Sequence, residues 1–119
     1  MNHLECGEQG EQLAAAFLQK QGYQLIARRF RTKTGEIDII VKKDGTFVFV
    51  EVKTRRSYLY GTPAQAVNRQ KQNKIINTAL NYLNHTNNRD APIRFDILEV
   101  MNLSTGMTVS NHIINAFGR

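Results

Sequence analysis

Glu36, Asp38, Glu51 and Lys53 are the residues whose types and spacing could do chemistry in this chain. They lie on two apolar runs, residues 35–43 and 46–55, joined by Asp44-Gly45. Asp-Gly between apolar runs is a strong hairpin signal. A two-residue turn sets Lys43 against Thr46. Counting back places Asp38 opposite Glu51 and Glu36 opposite Lys53. Side chains alternate along a strand, so all four share one face. Opposed residues have Cβ atoms about 4.5–5.5 Å apart, and like charges at that distance are destabilising. Two carboxylates held so close call for a compensating cation or a shared proton. A hard divalent ion with oxygen ligands supplies the cation. The plainer reading is a Glu36–Lys53 ion pair, with Asp38 and Glu51 solvated at a strand end. Three acids and a lysine converging on an otherwise apolar hairpin argue for the metal.

Such a constellation suits phosphodiester hydrolysis. Asp38 and Glu51 would hold Mg²⁺ or Mn²⁺ to orient and acidify the attacking water and stabilise charge on the phosphate. Lys53 would meet the water or the phosphoryl oxygens as a compact point charge. Basic residues flank these acids in sequence: Arg28, Arg29, Arg31 and Lys33 on one side, Arg55 and Arg56 on the other. They suit phosphate contacts that position a nucleic acid without specifying its sequence. A solvated basic face is the competing reading. Arg69 and Lys74 fit backbone phosphate or solvent equally. Lys71 lies four residues from both Val67 and Ile75, on an apolar stripe. It either borders the site and touches phosphate or snorkels past the stripe to water. Tyr58 and Tyr60 follow the Glu51 strand and could stack on a base or simply pack. His3, His85 and His112 have no metal-ligand spacing, and no Gly-rich phosphate loop is present, so nucleotide hydrolysis is not supported.

The elements that must position these groups are legible in outline. Residues 8–21 read as a helix with an apolar stripe from Leu13 to Leu18, stopped at Gly22. Residues 23–30 read as a strand. In the hairpin, the alternation puts Ile37, Ile39, Val41, Val48, Val50 and Val52 on one face and Ile40, Phe47 and Phe49 on the other. Strands apolar on both faces are central strands covered on both sides. Thr62-Pro63-Ala64-Gln65 has the form of a helix start with a capping box. The spacing of Val67, Ile75, Ile76, Ala79, Leu80 and Leu83 carries that helix to about residue 84. Residues 92–101 and 108–117 read as strands around Ser104-Thr105-Gly106. The order helix, three strands, helix, two strands predicts an α/β fold, a mixed sheet with helices packed on it.

At 119 residues the chain reads as a single domain, 1–119, long enough for a real core. Sixteen Lys and Arg against ten Asp and Glu give +6. That balance favours a polyanionic partner, nucleic acid first and anionic membrane second. Cys6 is the single cysteine, which excludes an intrachain disulfide framework and a cysteine-based zinc cluster. Neither a signal-peptide run nor a membrane span is evident, so a cytoplasmic location is expected.

Gly35-Glu36-Ile37-Asp38, a hairpin, then Glu51-Val52-Lys53 resembles the paired motifs of the PD-(D/E)XK nuclease superfamily. Gly7-Glu8-Gln9-Gly10-Glu11-Gln12-Leu13-Ala14, Val50-Glu51-Val52-Lys53-Thr54-Arg55 and Arg94-Phe95-Asp96-Ile97 are similar to segments of the YraN-like family. That family comprises small bacterial predicted endonucleases related to archaeal Holliday junction resolvases. The resemblance covers almost the whole length. No proline precedes the first acidic strand, where Gly35 stands instead. The resemblance implies a restriction endonuclease-like core and a Mg²⁺- or Mn²⁺-dependent endonuclease acting on DNA. It extends to branched or structured DNA in repair or recombination. It also implies that Glu11, on the first helix, joins Asp38, Glu51 and Glu36 in the metal site. Read from the residues alone, Glu11 is a first-turn acid favoured by the helix dipole. For Asp96 the resemblance implies a structural hydrogen-bonding role.

The nucleic-acid contacts expected on this reading are Arg29, Arg31, Lys33, Arg55, Arg56, Arg69 and Lys71. A homodimer would present two sites to a four-way junction. The rivals are a nucleic-acid-binding module of the same fold that does not hydrolyse, and a metal-regulated scaffold.

Overall fold

The computed structural model describes residues 2–56 and 67–118. Seven elements follow in the order α1 (His3–Lys20), β1 (Gln24–Thr32), β2 (Gly35–Lys43), β3 (Thr46–Arg55), α2 (Arg69–His85), β4 (Ile93–Leu103) and β5 (Gly106–Phe117). The five strands form one mixed sheet in sequential order. All neighbours are antiparallel except β3 and β4, which run parallel. A parallel pair needs a long crossover, and the connection carrying α2 supplies it. The α/β architecture predicted from the order of elements, with its restriction endonuclease-like helix–sheet arrangement, is the one observed.

One helix covers each face. Ala14, Ala15 and Leu18 of α1 pack on Ile39, Val41, Val48, Val50, Leu98 and Val100. Ile75, Ile76, Ala79 and Leu83 of α2 pack on Ile37, Ile40, Phe47, Phe49, Phe95 and Ile97. This is why both hairpin strands are apolar on both faces. The α1 stop is a Schellman turn: Tyr23 N–H donates to Leu18 O at 3.0 Å and Gly22 N–H to Gln19 O at 3.1 Å. Gly22, at φ 92°, takes the left-handed position that turn requires. The Asp44-Gly45 turn has positive φ at both residues, 51° and 79°, as the two-residue I′ hairpin demands.

Three expectations need correction. α1 begins at His3, not at residue 8, so Glu5 is its first-turn acid and Glu11 lies in its third turn. A single helix from residue 62 is not what forms. Residues 62–65 lie outside the described residues, and α2 starts at Arg69. Asn68 is its N-cap, its side-chain oxygen accepting from Lys71 N–H at 2.9 Å. Val67 therefore precedes the helix, although it is buried in the core beneath it. Ile37 also sits on the α2 face with Ile40 and Phe49, not with Ile39. Alternation breaks around Asp38, and the reason lies in the site.

Gly10 lies where α1 passes close over Thr54 of β3. A Cβ there would lie 2.1 Å from Thr54 Oγ1. Thr54 is β-branched and stiff, so α1 itself must move to admit it. Gly10→Ala gains about 1 kcal/mol of helix propensity. It loses about 1–3 kcal/mol to overpacking. A net loss near 1 kcal/mol is expected in urea unfolding, and Thr54→Ala in the same chain should restore stability.

Candidate active site

Asp38, Glu51, Lys53 and Lys71 meet where the β2–β3 ladder opens. The ladder runs from Lys43↔Thr46 to Ile39↔Val50. Beyond that pair, Val52 N–H donates not to a strand carbonyl but to Asp38 Oδ2, at 2.8 Å. A short carboxylate competes well with backbone acceptors. The break has a counterpart in β1. Between the pairs Arg28↔Ile39 and Phe30↔Ile37, Arg29 adopts a left-handed φ of 54°. The acids are thus placed by an interruption of the sheet rather than by its regular pleat.

Glu51 is buried, its side chain 5% exposed. Asp38 is half-buried and hydrogen-bonds it. Burial, the bond to Glu51 and the Glu51 charge push the Asp38 carboxyl up to about 9. Burial also opposes the charge on Glu51. The bond from Asp38 and the ammonium groups of Lys71 and Lys53 outweigh it and hold Glu51 below the usual carboxylate range. One proton shared between two carboxyls follows. Lys71 Nζ lies 2.7 Å from Glu51 Oε2, and Lys53 Nζ lies 3.9 Å from it. Burial and the neighbouring Lys71 lower Lys53 against the pull of Glu51. Lys71 is raised, the attraction of Glu51 exceeding the effect of burial.

The donor set fits a hard divalent cation. Glu51 Oε2 is buried and receives no aligned hydrogen bond among the described residues, Lys71 approaching it as an ion pair. Asp38 brings a second carboxyl beside it. Mg²⁺ is ordinarily bound through one or two carboxylates, with water and substrate phosphates completing the shell. Among the described residues no three His, Cys, Asp or Glu side chains are placed to hold a metal together.

The other predicted acids are engaged elsewhere. Glu11 Oε1 accepts from Arg29 Nε at 3.0 Å and lies 3.7 Å from Arg28 Nη2. Adjacent strand residues normally point to opposite faces. Both reach Glu11 here because the left-handed Arg29 breaks the alternation. Glu11 still borders the site: it lines a cavity of about 270 Å³ with Cys6, Gly7, Val52, Lys53 and Thr54. Glu36 pairs with Arg31 of β1 at 3.2 Å. The expected opposition of Glu36 to Lys53 is not formed, because the β2–β3 ladder ends before it and Glu36 turns to β1.

The basic residues fall into three groups. Arg29 and Arg31 are bound up with Glu8, Glu11 and Glu36 around one groove, and Lys33 is exposed at the β1–β2 turn. Arg55 and Arg56 line a cavity with Asn2, Cys6, Thr54 and Asn102. Arg69 and Lys71 lie in the first turn of α2. Tyr58 and Tyr60 lie outside the described residues.

Two buried acids on β4 complete the picture. Asp96 has the structural role expected of it. Arg94 donates to both its oxygens, each at 2.9 Å, Asn115 N–H donates to Oδ1 at 2.9 Å, and His112 Nε2 lies 2.8 Å from Oδ2. Arg94 also donates to Tyr23 Oη at 2.7 Å. Sequence reasoning missed Glu99, fully buried, paired with Lys53 along the parallel ladder and bonded by the Ser110 hydroxyl. A glutamate within the apolar run of β4 was its available signal.

The fold and site define a two-helix α/β domain with a buried carboxyl–lysine centre at a split in its sheet. A model of Uncharacterised protein family UPF0102 matches residues 10–100. Similar proteins include a UPF0102 protein of Symbiobacterium thermophilum, 47% identical over 93% of this chain and 94% of its own. UPF0102 proteins of Caldicellulosiruptor saccharolyticus and Syntrophomonas wolfei are each 43% identical. They cover 98% and 95% of this chain and 100% and 97% of their own. The chain belongs to UPF0102, the YraN-like family its motifs resemble. Among the described residues no helix is long and apolar enough to cross a membrane.

Proposed function

We propose that this protein is a Mg²⁺- or Mn²⁺-dependent endonuclease acting on DNA, with branched or structured DNA as the preferred substrate. The observation that carries the reading is the Asp38–Glu51 pair, two carboxyls side by side at the split in the sheet with the Lys71 and Lys53 ammonium groups 2.7 and 3.9 Å from Glu51 Oε2. A structural ion pair requires neither the second carboxyl nor the second ammonium.

Asp38 and Glu51 would hold the metal; Glu11 and Glu36 are held by arginines instead, and Glu11 borders the cavity that Lys53 also lines. The chemistry a bound divalent ion supplies is acidification of the attacking water and stabilisation of charge on the phosphate. Asp38 must give up its proton to bind, so metal affinity should rise with pH. Lys53, half-buried with Nζ facing Glu51, would meet the developing charge on a phosphoryl oxygen. Arg55 and Arg56, with Lys33 and Arg69, would carry flanking phosphates. A site that binds the phosphate backbone through surface cations loses affinity with salt.

Lys53→Ala should lower kcat about 10²–10³-fold while leaving DNA affinity nearly unchanged. Single-turnover cleavage beside a binding isotherm separates the two effects. The substrate is tested by a panel with Mg²⁺ or Mn²⁺: linear duplex, single strand, flap, four-way junction and RNA. Preferential cutting of the junction or flap supports the proposal. Binding of the junction by folded protein with no cutting of any substrate replaces it with a non-catalytic binding module.

A further inference from the structure

We propose that Lys71 is a built-in counter-ion that competes with the metal for Glu51 and is drawn off by DNA phosphate, so that metal and DNA bind cooperatively. The inference rests on the nuclease reading and deepens it. Lys71 Nζ is the nearer of the two ammonium groups, 2.7 Å from Glu51 Oε2 against 3.9 Å for Lys53. A divalent ion bound through Glu51 Oε2, the buried oxygen without a hydrogen-bond partner among the described residues, would meet the Lys71 ammonium there. Two cations against one carboxylate repel, so metal entry works against this ion pair.

Lys71 is also in an unfavourable place for a cation. It lies in the first turn of α2, beyond the Asn68 cap, where the helix dipole favours negative charge. That turn contains no acidic residue. Glu51, on the neighbouring strand, is therefore the acid that answers Lys71. The Lys71 side chain is 45% exposed, and with Asn68, Gln70 and Lys74 it lines a cavity of about 300 Å³. This surface suits an anion: a helix start, a second lysine and no competing acid among the described lining residues. A backbone phosphate arriving there offers Lys71 a new partner and frees Glu51 for metal. By linkage, the metal tightens DNA binding by the same factor.

The test is calorimetric titration with Mn²⁺, with and without saturating duplex DNA bearing hydrolysis-resistant phosphorothioate linkages. Wild-type affinity for Mn²⁺ should rise about tenfold when DNA is bound, within the usual range of such couplings. Lys71→Met should bind Mn²⁺ about tenfold more tightly without DNA and show little further gain with it. Lys71→Arg, which keeps the charge, should retain the coupling. Lys71→Gln carries the same expectation as the methionine variant if that protein melts early. Wild type that binds Mn²⁺ while neither uncharged variant binds it more tightly, or while the DNA coupling survives in them, overturns the inference and leaves the nuclease reading standing. Absence of Mn²⁺ binding in every protein, with or without DNA, overturns both.

Discussion

Asp38→Asn should abolish metal-dependent cleavage while making the protein more stable when no divalent metal is added. The first half follows from removing a metal-binding oxygen and its charge. Several kcal/mol of charge stabilisation are lost, on the order of 10³-fold in rate. The second half follows from burial and the Glu51 charge. They push the Asp38 carboxyl up to about 9, so its ionised form is the one that strains the fold. A group with a raised folded value contributes stability that is complete below the ordinary carboxylate range and is lost as pH rises toward that folded value. Wild-type protein in chelator should therefore melt earlier as pH climbs from about 5 to 9, by linkage. Asparagine keeps the shape and cannot ionise, so its melting temperature should be flat over that range and higher at the alkaline end. Thermal melts in chelator check this independently of any activity. A variant that is both inactive and less stable would mean that Asp38 holds the sheet together and the loss of cleavage is indirect.

Asp96→Ala should cost more stability than any change at the candidate site. Asp96 is fully buried and carries four bonds from Arg94, Asn115 and His112. Removing one partner of a buried ion pair leaves the other charge uncompensated, which costs about 3–5 kcal/mol. Much of a small domain's stability would go with it. Urea unfolding should show the midpoint falling sharply. Burial opposes the Asp96 charge, but His112, Arg94 and the Asn115 amide overcome it and hold the carboxyl below its usual range. A lowered folded value gives stability that is present above the ordinary carboxylate range and is lost as pH falls through the folded value. Acid unfolding of the wild type should thus be steep below about pH 4, and this component should be missing in Asp96→Asn. Retained cleavage by whatever fraction of Asp96→Asn stays folded would separate its role from that of Asp38.

How far the sequence carried the site can be judged at Asp38. The Asp44-Gly45 turn predicts the register correctly as far as Ile39↔Val50. Ideal alternation then places Asp38 and Glu51 together and Glu36 against Lys53. The two carboxyls do meet, although beyond the end of the ladder, whereas Glu36 pairs with Arg31 instead of Lys53. No local pattern announces that a carboxylate will replace a ladder carbonyl, or that Arg29 will turn left-handed opposite it. Ile37 is on the unexpected face for the same reason. At α2 the capping signature at Thr62 drew the helix start too early, while Asn68, an equally good cap, begins the helix. Lys71 was visible as a cation on an apolar stripe. Only the packing of α2 across β3 shows that its charge is spent on Glu51. Glu11 was placed near the acids by family resemblance, and its arginine partners come from a strand conformation that spacing does not encode. The layers were legible because strands apolar on both faces need a cover on each side, and α1 and α2 are the helices that provide it.

The most direct test of the central claim is cleavage of a labelled four-way junction by the wild type and by Asp38→Asn, each with Mg²⁺, with Mn²⁺ and with chelator. The account predicts cutting by the wild type in either metal, none in chelator, and none by a variant that melts no earlier than the wild type. Cutting that persists in chelator, or in folded Asp38→Asn protein, would contradict it.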